Sequence, residues 1–293
     1  MASSSWAAAA LAALLSVACA GPPPASQFPN AQAAIDRMRA TTSCSRALLS
    51  DAKIDYFGPA GRIRGTLLYV VAVPDKLRLD VVSPFGATVS TVTSDGKQFA
   101  LFDLRQKQFL RGPANACNLA RFTHVPVPPA ALAQLLRGEA PVLVHEPTAA
   151  TIAWESGEYV VRIRSTRDAS EEIHLQPLAQ DYALPYSAQR VRVNEVRVLQ
   201  QGIELYRAQL VGHHPAKMSA PRVDPDGLDP PTPPSGPSCQ SEVPGRLRLQ
   251  VPDGDQDVIL ENEDVSHNPP LDAHVFEQSP PGGVEVRYSP CAD

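Results

Sequence analysis

Beyond its first twenty residues the chain has no apolar run that could cross a bilayer as a helix, which takes about 20 residues. It has no Gly-rich phosphate loop, no nucleophile elbow and no H-E-x-x-H pair, so nucleotide hydrolysis, serine-type acyl transfer and zinc proteolysis lack their signatures. No C-x-x-C pair occurs, which argues against zinc and thioredoxin-like sites. His145-Glu146 and Asp103 form no recognisable dyad, and His213-His214 reads as a solvated strand end. Asp253, Asp255 and Asp257 alternate, but the closing Glu of a calcium loop is missing and the Gly is misplaced. The chain is therefore expected to be no enzyme and to hold no metal or cofactor. Basic residues are also scarce. Lys+Arg number 26 against 31 Asp+Glu, a net charge of −5, which excludes nucleic acid as a main partner.

What the chain has is an address. Ala7–Ala18 is almost wholly Ala, Leu and Val, and it runs into Leu15-Ser16-Val17-Ala18-Cys19. Residues 1–18 read as a signal peptide and Cys19 as the acylated first residue of a lipoprotein. Ser16 stands where a lipobox usually has Leu, and Met1–Trp6 lacks Lys and Arg. Ala18-Cys19-Ala20 is also an A-x-A cleavage site, which would free a soluble chain starting at Gly21. Residues 19–29, with Pro22-Pro23-Pro24-Ala25-Ser26, form a stiff tether in either case. Ala20 leaves no Asp retention signal after Cys19, which points to the outer membrane, the lipoprotein facing the periplasm.

An exported chain meets an oxidising compartment. Cys44, Cys117, Cys239 and Cys291 then make two disulfides with three conceivable connectivities, and the pairing that follows chain order is Cys44–Cys117 with Cys239–Cys291.

Asn30 caps a helix whose apolar residues Ala31, Ala34, Ile35 and Met38 recur at helical spacing. The period then changes to 2. Arg62–Val73, Lys76–Val82, Ala87–Thr93, Gln98–Leu104 and Gln106–Arg111 alternate as strands between turn signals at Val73-Pro74-Asp75, Ser83-Pro84-Phe85-Gly86 and Asp95-Gly96. A second helix covers Pro129–Arg137 and stops at Gly138. Further strands follow at Thr151–Trp154, Tyr159–Ser165, Glu172–Pro177, Gln189–Val198 and Ile203–Val211, with a parity slip after Asn194 that marks a bulge. Residues 213–242 are a Pro-rich linker or surface loop, and residues 243–293 carry the last strands, Arg246–Val251, Val258–Leu260 and Val284–Tyr288. Charge divides at the same place: residues 1–212 hold 21 Lys+Arg against 17 Asp+Glu, and residues 213–293 hold 5 against 14. Ten or eleven strands in meander order with two short helices curl into a mainly β, unclosed antiparallel barrel over residues 30–212, completed by the C-terminal strands. Its apolar concavity would be lined by Leu67, Tyr69, Val71, Leu77, Leu79, Val81, Phe99 and Leu101. Arg62, Arg64 and Arg78 read as solvated exterior charges.

The run Gly65-Thr66-Leu67, Pro74-Asp75-Lys76-Leu77-Arg78-Leu79-Asp80, Ser83-Pro84-Phe85-Gly86 and Ser94-Asp95-Gly96 resembles the front half of the LolA/LolB-like proteins. Val127-Pro128-Pro129-Ala130-Ala131-Leu132 and Leu135-Leu136-Arg137-Gly138-Glu139-Ala140-Pro141 are similar to the helix segment of LolB-like receptors. The resemblance runs over Ile35–Val142 and thins after it. It implies a monomeric unclosed barrel with a helical lid that binds acyl chains of lipoproteins or lipids and aids their localisation to the outer membrane, with a periplasmic carrier protein as partner. It also implies that the loop Pro84, Phe85, Gly86 projects a hydrophobic residue, Phe85, for delivery to the bilayer. The alternatives left open are a Phe85 tucked against its own hairpin and a structural or regulatory envelope lipoprotein that binds a protein through its acidic, Pro-rich tail.

Overall fold

A computed structural model describes residues 21–59, 61–123 and 125–291. The expected signal peptide and Cys19 lie outside the described residues. Helix α1 (Ala31–Thr42) begins where the sequence places it: the Asn30 side chain accepts a hydrogen bond from the Ala33 N–H at 2.8 Å. Its buried face is Ala31, Ala34, Ile35 and Met38.

The first meander follows as β1 (Ala47–Gly58), β2 (Gly61–Ala72), β3 (Lys76–Val82), β4 (Thr88–Ser94), β5 (Gln98–Asp103) and β6 (Gln108–Pro113). Two helices, α2 (Ala116–Thr123) and α3 (Pro129–Leu136), lead to a second meander of β7 (Ala150–Glu155), β8 (Glu158–Arg164), β9 (Ala169–Pro177), β10 (Val191–Gln200) and β11 (Ile203–Val211). The two-residue pieces β12 (His214–Pro215), β13 (Lys217–Met218) and β14 (Glu242–Val243) flank the Pro-rich segment. The chain closes with β15 (Arg246–Val251), β16 (Gln256–His267) and β17 (Glu285–Tyr288).

The sheet is mainly antiparallel and is not a single meander. Its order is β17-β6-β5-β4-β3-β2-β1-β16-β15-β11-β10-β9-β8-β7, with the short β13 beside β16. The β15–β16 hairpin lies between the two meanders and joins them. β16 pairs with β1 from Leu48↔His267 to Phe57↔Asp257, and β15 pairs with β11 from Arg207↔Gln250 to Val211↔Arg246. Edges β17 and β7 do not meet, so the barrel stays unclosed. Helix α1 packs on β7, β8 and β10, and α3 on β2 and β3, so each half of the sheet has its own helix on the apolar face.

The inserted hairpin also decides the disulfides. They are Cys44–Cys239 and Cys117–Cys291, not the pairing that follows chain order. β16 ends beside the start of β1, and Asn268 just after it donates to the carbonyls of both Cys44 and Pro237, so Cys239 lies next to Cys44. β17 lies parallel on β6 and brings Cys291 to α2. Asn268, with φ +50°, consolidates the first junction. Its Oδ1 accepts from the Arg46 and Ala47 N–H groups at 2.8 and 3.0 Å, and its Nδ2 donates to the Cys44 and Pro237 carbonyls at 2.8 and 2.6 Å. The Pro-rich segment turns on itself, with Asp224 accepting from the N–H groups of Leu228 and Asp229. The predicted slip in β10 is a register shift against β9 between Val193 and Glu195.

Candidate functional site

An antiparallel meander puts alternate turns at the same end of the sheet. The β1–β2, β3–β4 and β5–β6 turns therefore cluster, and a cavity of about 470 Å³ opens beside them. That volume is within the usual range of small-molecule sites, about 300–1,000 Å³. Its walls are aliphatic. Leu67 comes from β2, Leu79 and Val81 from β3, Leu101 from β5, Leu249 from β15, and Val258 and Leu260 from β16. Leu132 and Leu136 of α3, with Val125 and Val127 before it, face them from the other side.

Four of the eight residues expected to line a concavity do so: Leu67, Leu79, Val81 and Leu101. Tyr69, Val71, Leu77 and Phe99 share their parity but lie wholly inside the packed core. Strand parity selects a face and not a position along it. The far end of that face is filled, and the Tyr69 hydroxyl is committed there, donating to Asn262 Oδ1 at 2.9 Å. Leu249, Val258 and Leu260 become wall residues only through the insertion of the C-terminal hairpin, which no local pattern announces.

At the mouth, Ser83 and Pro84 line the cavity and Phe85 points away from it, 96% exposed. The turn holds the ring there. The Gly86 N–H donates to the Ser83 carbonyl at 2.9 Å, the Ser83 N–H donates to the Ala87 carbonyl at 2.8 Å, and Gly86 sits at φ +82°. Phe57, Ile63 and Leu104 on the two neighbouring hairpins are also exposed, so the rim carries an apolar fringe.

The covering segment is anchored at its other end by a charge that sequence reading missed. Arg137, which follows α3, is only 4% exposed. Its Nε donates to the Ser45 carbonyl at 2.9 Å, and its guanidinium pairs with Glu139 at 3.5 Å. Glu139 accepts from the Thr42 hydroxyl at 3.0 Å, and His267 Nδ1 lies 2.9 Å from Ser45 Oγ. Burial lowers the Arg137 pKa and the Glu139 charge opposes that; burial likewise lowers that of His267. The only signal was a charged pair around Gly138, which takes φ +80°, between an apolar helix and Ala140-Pro141.

Arg62 and Arg64 both engage Asp55, and Arg78 engages Asp80. Arg64 also lines the cavity. A buried acid was missed too. Glu171 on β9 accepts from the Leu143 N–H at 2.9 Å, its other oxygen has no partner among the described residues, and burial raises its pKa to about 8. Among the described residues no cluster of three His, Cys, Asp or Glu could hold a metal, and no helix is long and apolar enough to cross a membrane.

An unclosed antiparallel barrel with an apolar concavity beneath short helices defines the architectural class. The same architecture occurs in solved structures. A DUF1329 family protein from Desulfovibrio piger superposes with a TM-score of 0.53 at 8% identity, over 87% of this chain and 98% of its own. A LolA superfamily protein from Nitrosomonas europaea gives 0.51 at 10% identity, over 86% and 99%. A putative outer membrane lipoprotein-sorting protein domain from Vibrio parahaemolyticus gives 0.53 at 10% identity, over 84% and 95%. The chain has the LolA/LolB-like fold. No family model matches the sequence, and no curated protein matches it.

Proposed function

We propose that this protein is an envelope lipoprotein that shelters acyl chains of lipoproteins or lipids in its barrel cavity and aids their localisation to the outer membrane. The observation that carries the reading is an aliphatic cavity opening beside a hairpin that exposes Phe85. Each buried acyl methylene contributes about 0.8 kcal/mol, so one tail supplies useful affinity without a covalent step. Transfer then needs a small affinity gradient and no nucleotide. The exposed Phe85, flanked by Ile63 and Leu104, is suited to enter the headgroup region of a bilayer while the cavity mouth faces it.

Intact-mass and lipid-extraction mass spectrometry of the protein from its native envelope tests this first. Acylated Cys19 with a copurifying lipid or lipopeptide is the expected result. A chain starting at Gly21 removes the anchor from the reading, and a cavity that neither copurifies nor takes up acyl chains overturns it. Phe85→Glu is expected to leave the melting temperature within about 2 °C, as an exposed substitution does, and to abolish transfer to vesicles. Normal transfer by that variant would remove the hairpin from the mechanism.

A second reading is favoured by exposed Met218, Val223 and Leu228 on the Pro-rich segment: capture of a protein partner on that loop. Copurification of a partner that is lost when residues 219–237 are replaced by a Gly/Ser loop, with no bound lipid, would select it.

A further inference from the structure

The cavity is apolar inside and cationic at its mouth. Arg64 from β2, Arg105 from the β5–β6 turn and Arg121 from α2 all line it, and among the described residues lining it Asp103 is the only carboxylate. That carboxylate is occupied locally, accepting the backbone N–H groups of Arg105 and Gln106 at 2.8 and 3.0 Å. Arg64 shares Asp55 with Arg62, which holds the carboxylate with two nitrogens while the Arg64 Nε lies 3.3 Å away. Among the described residues Arg121 reaches only the Cys291 sulfur, at 3.8 Å. Among the described residues neither Arg105 nor Arg121 forms an ion pair.

Three arginines line one apolar cavity within residues 1–212, where 21 Lys+Arg stand against 17 Asp+Glu. Most other arginines are paired. Arg162, Arg190, Arg207 and Arg248 each meet a carboxylate within 3.1 Å. A neutral ester or a bare acyl chain would leave the mouth charges unused. Burying a ligand against them without an opposing charge would cost their partial desolvation.

We propose that the cavity takes an anionic amphiphile: an acyl tail along Leu67, Leu79, Val81 and Leu101, and a phosphate or carboxylate headgroup held by Arg64, Arg105 and Arg121. The proposal rests on the acyl-binding reading above and adds headgroup selection to it. Guanidinium forks match the geometry of either oxyanion.

The test is calorimetric titration of the whole protein with lysophosphatidylglycerol and with the uncharged monoacylglycerol of the same chain length. Glycerol phosphate is titrated alone. The lysophospholipid is expected to bind at least about tenfold more tightly at low salt, and the gap should narrow as salt screens the rim. Arg105→Gln with Arg121→Gln should bring its affinity close to that of the neutral lipid. Arg105→Glu, a single change on an exposed turn, should weaken the anionic ligand about fivefold or more if the double variant folds poorly. Equal affinity for the two lipids overturns headgroup selection and leaves acyl binding standing. Tight binding of glycerol phosphate alone, with no gain from the tail, assigns the rim to free phosphate esters and overturns the proposal. Binding of none of the three overturns both readings.

Discussion

Glu171 gives the fold a pH dependence that can be measured in isolation. The carboxyl is 2% exposed beneath the segment that follows α3, with the Tyr206 ring beside it. Burial raises its pKa from 4.5 to about 8, opposed by the Leu143 N–H and by the charge of Arg39. In the unfolded chain the group ionises near its ordinary value. From about pH 4.5 to 8 the unfolded state therefore binds fewer protons than the folded one, so stability falls as pH rises through this window and levels off above it. At about 1.4 kcal/mol per pH unit, the loss has an upper bound of roughly 5 kcal/mol, comparable with the whole stability of many domains. Half-buried His213, whose pKa is lowered to about 4, acts in the opposite sense by adding stability as pH rises from there towards 6.5. The wild-type profile sums both, and the difference from Glu171→Gln isolates the acid. The glutamine keeps an acceptor for Leu143 and cannot ionise. Urea unfolding at pH 5, 7 and 9 should show the variant gaining stability over the wild type progressively, by several kcal/mol at pH 9. A constant difference across the three pH values would refute a buried neutral carboxyl at this position.

Asn268→Leu removes four hydrogen bonds at the Cys44–Cys239 junction and places a branched side chain at φ +50°, so about 3 kcal/mol or more should be lost in thermal unfolding. Cys117→Ser with Cys291→Ser opens a 174-residue link, and the chain-entropy account predicts a loss of about 4–5 kcal/mol in urea. Peptide mapping of that variant without reduction should still recover Cys44 joined to Cys239. Val81→Trp projects a large ring into the cavity wall and should lower acyl uptake at least about tenfold while far-UV circular dichroism stays unchanged.

The elements that announced themselves are those whose buried residues repeat cleanly. Helix α1 was legible in Asn30, Ala31, Ala34, Ile35 and Met38, and β3 in the alternation of Leu77 and Leu79 with Arg78 and Asp80. The two longest strands of the C-terminal junction were not. β1 turns Leu48, Ser50, Ala52 and Tyr56 inward, and a buried Ser and Ala erase the apolar alternation. β16 continues through Glu261, Asn262, Glu263 and Asp264, where one face meets water and Asn262 bonds to Ser50 and Tyr69. α2 was also missed: it is eight residues long, and only Asn118 and Leu119 are buried. Strand order was beyond local patterns altogether, because it depends on which edge of the first meander receives the returning chain. For the site, the alternating face and the turn at Phe85 were readable. The extent of the cavity was not, since Arg64, Arg105 and Arg121 come to line it only in three dimensions.

The position of the β15–β16 hairpin has a consequence for how the molecule comes into being. Synthesis delivers the first meander and then the second, yet neither edge they must share can be satisfied until residues 246–267 have arrived. β1 and β16 are the partners farthest apart along the chain among the long pairs, and loop closure over such distances is slow. Until the hairpin is seated, two incomplete sheets present unpaired backbone to each other and to every neighbour. The final fifth of the polypeptide is therefore a keystone. A chain synthesised in order stays in two open halves until its end is released, which keeps it pliant and in need of protection until then.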